Sequence, residues 1–597
     1  MNCLLAPPRL KCLVLLAPAL TLSPAWSQVT TRDSLSSSGI QGNSLSYAPS
    51  LSAGGRYLVF ISLASNLVAS DTFGFDVFVR DRQHGVTELV SVSYAGGSST
   101  GGCSLSSRAV SVDGRYTAFS STSEAVVPGD LNGTSDVFVR DRQAGTAETM
   151  SVSSSGAAGN GFSDGAAISA DGRYVVFASA ASNLVFGDSN GFVDIFLRDR
   201  VAGTTERVSI SSTGAQSNSN ATQNATMSAD GRFVVFDSDA TNLLASPDAN
   251  MSRDVFVRDR QAGTTSLVSV GLNGVSALGM SEYGWISEDG HFVAFHSAAT
   301  NLVAGDVDGL TNTFVRDLQA GATEMASLAT DGSPRHGVYP SMSANGGLVT
   351  FSTNQAGVVP EDSNGMVDVF VRDRTAGTTV RVSVSSSGVE GNGTSASGSV
   401  SPDGRYACFT SSAANLAPGD TNSFEDVFVR DGGPVLAGFC FGDGSGTPCP
   451  CGNSGAAGHG CENSSSTGGA ILAATGTASL GSDTLVLTAS GERPTVLTIV
   501  LQGDDPTGPL LFGDGLRCAG GTLKRLYAKS AVGGVVSAPQ AGDAAVSVRS
   551  AALGDVISAG ASRYYQTWYR DQSANFCPDP SGKNWNASSG FVVVWNY

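Results

Sequence analysis

The side chains best suited to chemistry form a spaced set of acids and amides that recurs along the chain. Asp130-x-Asn132-Gly133-x-x-Asp136, Asp188-x-Asn190-Gly191-x-x-Asp194 and Asp362-x-Asn364-Gly365-x-x-Asp368 share one spacing. Asp420 and Asn422 with Asp426, Asp248 and Asn250 with Asp254, and Asp306 and Asp308 with Asn312 are variants, and Asp71 with Asp76 is one residue shorter. Oxygen ligands at alternate positions, a glycine for the tight turn and a closing acid describe a Ca²⁺ loop in outline, without the distant glutamate of the EF-hand. The same residues describe an Asx-turn, in which Asp and Asn accept local backbone N–H groups and Gly takes positive φ. Both readings stand on the sequence, and Ca²⁺ is the one cofactor it suggests.

Other patterns carry less chemistry. Gly161-Phe162-Ser163-Asp164-Gly165 matches a nucleophile elbow, which needs a strand-to-helix turn, but its surroundings are rich in Gly and Ser. The five histidines, His84, His291, His296, His336 and His459, are scattered and show no zinc spacing. An Arg-Asp pair recurs seven times, from Arg80-Asp81 to Arg430-Asp431. Adjacent strand residues point to opposite faces, so the pair is expected to build a ring of ion pairs between neighbouring units. Catalysis needs one distinctive place, and the most divergent copy is the fifth, with Tyr283, Trp285, Glu288, His291 and His296.

Of ten cysteines, six crowd the last third: Cys440, Cys449, Cys451, Cys461, Cys518 and Cys577. Their spacing is wrong for a zinc site and suits disulfides in an exported chain. Cys449 and Cys451 are too close to pair with each other, so each is expected to bond Cys440 or Cys461. Cys518 is expected to pair with Cys577, and Cys408 to be a buried free thiol.

The elements that position these residues come from a repeat. Asp-Val-Phe-Val-Arg-Asp, or a near copy, occurs at Asp76–Asp81, Asp136–Asp141, Asp194–Asp199, Asp254–Asp259, Asn312–Asp317, Asp368–Asp373 and Asp426–Asp431. Before each stands a phrase near Ala-Asp-Gly-Arg-Tyr-Val-Val-Phe, whose glycines are 59, 58, 59, 59, 56 and 58 residues apart. A fixed period of this size marks an array of like units. Each unit reads as four antiparallel strands joined by turns such as Asp171-Gly172 and Ala202-Gly203. Seven such units make an all-β, seven-bladed β-propeller over 28–433. The seventh copy stops after its third strand, while Thr30–Gly39 resembles a fourth strand. Val29–Ser37 is therefore expected to pair with Asp426–Arg430 and close the ring, hiding two sheet edges.

The phrase S-[AP]-D-G-R-Y-x-x-F followed by D-[VI]-[FY]-V-x-D resembles the TolB-like, WD40-like (PD40-type) propeller repeat, over about Tyr47 to Asp431. The resemblance implies the propeller fold. It leaves function open among protein-binding platforms, partners in envelope complexes and domains attached to enzymes. The repeats here are longer than related ones, with the surplus in the loops between second and third strands and between blades. Alternation of strand direction brings both loop sets to one face, where a binding function is expected. A Cys/Gly-rich linker over 434–466 and a β-sandwich over 467–597 follow, with strands expected at Thr484–Ala489, Val496–Gln502, Val546–Val548, Tyr564–Tyr569 and Phe591–Trp595. The segments around Cys518 and from Arg563 to Asp571 resemble a C-terminal module of large secreted bacterial proteins. Trp568, Trp585 and Trp595 suit core packing or a sugar platform.

Residues 1–27, with Arg9 and Lys11 before the apolar run Leu13–Leu22 and small residues at Ala25 and Ser27, read as a secretory signal peptide. No later run is long and apolar enough to span a bilayer. The formal net charge of −18 argues against a nucleic-acid partner. The sequence therefore points to a secreted or extracytoplasmic, monomeric, non-catalytic propeller that binds a protein or surface glycan through its loop-rich face, with a C-terminal adhesion or retention module. The alternatives are an extracellular polysaccharide lyase or hydrolase that uses the propeller face, and a structural matrix protein.

Overall fold

The computed structural model describes residues 29–597 except 70, 72–73, 100, 107, 246–249, 307–308, 433–435, 440–448, 450–452, 457–458, 477, 482, 513–514, 558–560, 572–584 and 596–597. The expected signal peptide at 1–27, Cys440, Cys451, Cys577, Asp248 and Asp308 thus lie outside the described residues.

Seven four-stranded antiparallel sheets account for 29–431. Blade 3 shows the plan: Ser163–Ile168 innermost, then Tyr174–Ser179, Asp194–Asp199 and the outer Thr204–Arg207. The second and third strands are buried on both faces, since each face of a blade meets a neighbouring blade; hence their continuous apolar runs. A phenylalanine from each of these two strands meets across the pair in every blade, with ring centroids 5.5 to 6.0 Å apart.

The seventh sheet is closed by the N-terminus. Val29–Arg32 lies against Asp426–Asp431, with Val29 opposite Asp431 and Arg32 opposite Phe428. The ladder is four residues long rather than the nine expected, because Leu35 bridges to Gln41 and turns the chain back. Side chains extend the seam: Ser34 Oγ donates to Asp426 Oδ1 at 2.5 Å, and the Arg430 guanidinium donates to Thr30 Oγ1 at 2.8 Å.

The repeated Asp-Gly-Arg-Tyr phrase builds the contact between blades. Gly114, at φ +70°, has the ring of Tyr57 from the preceding blade so close that a Cβ would lie 1.9 Å from it. That ring sits between two guanidinium groups, Arg56 of its own blade and Arg142 of the next, each 4.7 Å from its centroid. The expected roles of the Arg-Asp pair are corrected here. Asp81, Asp141, Asp199, Asp259 and Asp431 pair within their own blade, with Arg56, Arg115, Arg173, Arg232 and Arg405. Arg80 donates to Thr87 Oγ1 and to the carbonyls of Leu35 and Ser36 in the inter-blade loop. Four ion pairs between blades come instead from the arginine just beyond each pair: Arg142 with Glu88, Arg200 with Glu148, Arg260 with Glu206, and Arg374 with Glu324. At the seam Arg82 takes Asp33 at 3.2 Å, with Arg80 itself 3.8 Å from the same acid.

The C-terminal region is a small β-sandwich. A six-stranded sheet, with Leu497–Gly503 and Ser562–Arg570 at its centre, faces a three-stranded one of Ile471–Thr475, Val486–Ser490 and Val536–Ala538. Leu472, Leu487, Val500, Leu526, Tyr565, Phe591 and Trp595 fill the space between them. Two expectations are corrected. Val546–Ala552 is an α-helix rather than a strand, because its buried residues, Val546 and Ser550, recur at four. Leu436–Phe439, inside the expected linker, is a strand paired with Gly590–Val594. Trp595 is fully buried and donates its indole N–H to Tyr565 Oη, and Trp568 is also buried, so both serve the core. Cys449 and Cys461 form a disulfide, and Cys518 is disulfide-bonded. Cys408 is a buried free thiol, as is Cys103.

Candidate functional site

The inner strands start on the loop-rich face, since Ser46 pairs with the end of the second strand, Ser62, which faces the start of the third, Asp76. Near that start most of them carry a β-bulge. The ladder slips after Tyr47, Asp164, Glu282, Val338 and Ala396. The residue that follows each slip has positive φ: Ala48, Gly165, Tyr283, Tyr339 and Ser397. Four of the five are not glycine, so backbone strain is spent around the axis, as at many binding sites. In blades 2 and 4 the regular inner strand shrinks to two residues, Cys103–Ser104 and Thr226–Met227.

These bulges surround an axial funnel of about 410 Å³, reached by all seven inner strands. Its wall combines Tyr283, Tyr339 and Trp285 with Ser104, Ser106, Asp164, Gln223 and Asn224. Arg108 of blade 2 crosses the floor. Its guanidinium donates to Met227 O at 2.6 Å and Ile286 O at 2.7 Å, and lies over the Trp285 ring at 4.9 Å. With those donors engaged, Arg108 acts as a strut between blades 2, 4 and 5 rather than as an anion receptor. Burial holds it below its usual range, and nearby Glu288 works against that.

Blade 5 makes the funnel asymmetric. Tyr283 packs on His296 at 4.9 Å and meets Tyr339 edge-on at 5.1 Å. His296 Nδ1 accepts the Tyr339 N–H at 3.2 Å, which leaves Nε2 to carry the proton toward Glu282 Oε1 at 3.4 Å. The other Glu282 oxygen accepts from Arg253 at 2.8 Å. The His296 hydrogen bond, with that of Arg253, holds Glu282 below the usual carboxylate range against burial. Asp237 of blade 4 is fully buried and accepts the backbone N–H groups of Tyr283 at 2.7 Å and Gly284 at 3.2 Å, pinning the bulge. Burial pushes its carboxyl up to about 7. His296 is also buried, so it orients the tyrosines and does not reach the funnel. His291 lies at a blade turn, bonded to Gln319.

The acid–amide loops form Asx-turns. Asn132 Oδ1 accepts the N–H of Thr134, Asn190 that of Phe192, Asn364 that of Met366 and Asn422 that of Phe424. Each Asn amide then donates to the closing acid, Asp136, Asp194, Asp368 or Asp426. In three blades a guanidinium stands between the first and last acids. Arg207 reaches Asp188 at 2.8 Å and Asp194 at 3.1 Å; Arg381 reaches Asp362 and Asp368, both at 3.3 Å; Arg32 reaches Asp420 at 3.2 Å and Asp426 at 3.8 Å. The place a metal ion would take in those loops is filled by the chain itself. Among the described residues no group of three or more His, Cys, Asp or Glu is arranged to hold a metal. These loops also carry an exposed apolar side chain in every blade: Phe75, Leu131, Phe186, Met251, Leu310, Met366 and Phe424. Ser163 of the nucleophile-like motif is buried in the inner strand of blade 3, with its hydroxyl donated to Ser179 Oγ.

No protein-family model matches the chain, and no curated protein matches it. Among solved structures it is similar to a TolB from Agrobacterium tumefaciens, at 16% identity over 47% of this chain and 80% of that one, with a TM-score of 0.29. It is also similar to the propeller domain of the Trilobed protease from Pyrococcus furiosus, at 10% identity over 65% and 96%, with a TM-score of 0.40. An oligogalacturonate lyase from Vibrio parahaemolyticus matches at 12% identity over 67% and 93%, with a TM-score of 0.40. At such scores the likenesses carry no argument, and the propeller assignment rests on the seven four-stranded sheets themselves.

Proposed function

We propose that this chain is an exported, non-catalytic binding propeller that receives the end of a neutral surface glycan in the axial funnel. The observation that supports the reading is the funnel wall: three aromatic rings interleaved with hydroxyl and amide groups, and no free basic side chain. Aromatic faces take the C–H face of a sugar ring while amides and hydroxyls exchange hydrogen bonds with its hydroxyls. The ring of exposed apolar loop tips gives the rest of the polymer a surface to lie on. Glu282 and Asp237 are engaged by partners within the fold, which suits a binding role better than acid–base work. The Cys449–Cys461 disulfide suits an oxidising compartment, and the C-terminal sandwich is assigned adhesion or retention within the same proposal.

Trp285 at the funnel floor supplies the readout. Glycans that bind should change its fluorescence, and Tyr283→Ala or Tyr339→Ala should weaken binding by about 10-fold, as loss of one stacking platform does. Retention on a secreted-protein array, with no glycan perturbing Trp285, would replace the glycan with a protein partner.

A further inference from the structure

Asp164 lies within the Gly161–Gly165 stretch and on the funnel wall. It occupies a position that every blade has, opposite the second-last residue of the second strand. In five blades that position holds an uncharged residue, Tyr47, Ser104, Thr222, Val338 or Ala396. The other two hold acids, Asp164 and Glu282. Glu282 is neutralised by Arg253 at 2.8 Å and held by His296. Asp164 takes only neutral donors: its Oδ1 accepts from Ser104 Oγ, at the same level of blade 2, and from the Gly165 N–H at 2.7 Å. Its Oδ2 has no partner among the described residues. The neighbouring blade thus fixes one carboxylate oxygen and leaves the other to the funnel.

The surroundings of Asp164 complement that oxygen. Gly165, at φ +69°, makes the bulge, and a Cβ there would lie 2.1 Å from the Gln223 carbonyl oxygen, so blade 4 packs directly on this turn. The contact brings the amides of Gln223 and Asn224 to the same part of the wall. A sugar hydroxyl both donates and accepts, so a carboxylate oxygen beside amide N–H groups suits it. Arg108, the cation of the wall, donates to the Met227 and Ile286 carbonyls and has Glu288 as its nearby acid. Asp164 is thus the unneutralised charge of the wall. A second carboxylate brought against it in a narrow, poorly solvated funnel meets like charge, which discriminates by repulsion.

We infer that Asp164 is the specificity-determining residue of the funnel: its Oδ2 accepts hydroxyl groups of the terminal sugar, and its charge turns away uronic acids and other anionic ends. This rests on the glycan reading and adds which sugars the funnel admits.

The test follows Trp285 fluorescence while the exported chain is titrated with maltohexaose, cellohexaose, mannohexaose and xylohexaose, and with hexamers of galacturonate and mannuronate. At least one neutral hexamer should bind the parent about 10-fold or more tighter than either uronate does. Asp164→Asn keeps the shape of the side chain and removes its charge. It should melt with the parent and bind that neutral hexamer about 10-fold or more weakly, as loss of a hydrogen bond to a charged group does. It should bind the uronates no worse than the parent, so the preference for the neutral sugar shrinks. A variant that only loosened the wall would weaken both classes alike. The inference is wrong if Asp164→Asn binds the neutral hexamer as the parent does, or weakens both classes alike. It is also wrong if the parent takes a uronate as readily as a neutral sugar, a comparison that needs no variant. If none of the hexamers changes Trp285 fluorescence in the parent, the glycan reading itself fails and takes this inference with it.

Discussion

Replacing Gly114 with alanine separates two costs that the repeat imposes on one residue. The first is conformational: at φ +70°, an L side chain pays about 1 kcal/mol. The second is steric, because the new Cβ would lie 1.9 Å from Cδ2 of Tyr57, a ring that cannot slide away from between Arg56 and Arg142. Forcing such a contact costs about 1–3 kcal/mol more. Gly156 supplies the control, since it has φ +86° and nothing within 4 Å of its would-be Cβ. In equilibrium urea unfolding, Gly156→Ala should cost about 1 kcal/mol and Gly114→Ala about 2–4 kcal/mol. In a Tyr57→Ala background the Gly114→Ala cost should fall to that of Gly156→Ala, a coupling of about 1–3 kcal/mol. Equal costs for the two glycines, or an undiminished Gly114→Ala cost without the Tyr57 ring, would refute the wedge of ring and glycine as the contact between blades.

Deleting residues 28–39 should lower the melting temperature sharply, because it uncovers the Asp426–Asp431 strand and strips Arg32 and Ser34 from the Asp420 and Asp426 carboxylates; a melt unchanged by the deletion would show that the seam carries no stability. Asp237→Asn tests the buried carboxyl. With its folded value raised to about 7, the folded chain holds this proton when the unfolded chain has lost it, so Asp237 costs stability increasingly as pH rises from about 4 to 7. The stability of Asp237→Asn relative to the parent should therefore climb over that range in urea titrations at stepped pH, and a flat difference would place Asp237 in a less buried setting.

The repeats made blade number, strand order and the N-terminal seam legible, because every copy states the same hydrophobic pattern and the last copy lacks its fourth strand. The funnel was less legible. A bulge inserts one residue into an inner strand, and at Ala48, Tyr283, Tyr339 and Ser397 no glycine announces the positive φ. The fifth repeat was marked as divergent, yet His296 works behind Tyr283 and not in the funnel. The aromatic partner Tyr339 and the anchor Asp237 lie in other blades and were missed. The arginine of the closed acid loops was also missed, because it sits 13 to 19 residues from its acids in blades 3 and 6 and at the far end of the chain in blade 7. A signal was present all the same: the last residue of the outer strand is Arg in those three copies and uncharged in the other four.

The seam at Val29–Arg32 also bears on how such a gene can change. The propeller array opens on a fourth strand and closes on a third, so the frame of the array is offset by one strand from the frame of the blade. Unequal recombination between copies adds or removes one whole period wherever it cuts. Any product would still open on a fourth strand and close on a third, and would still have a strand to complete its last sheet. Such an exchange would change the number of blades and leave the seam intact.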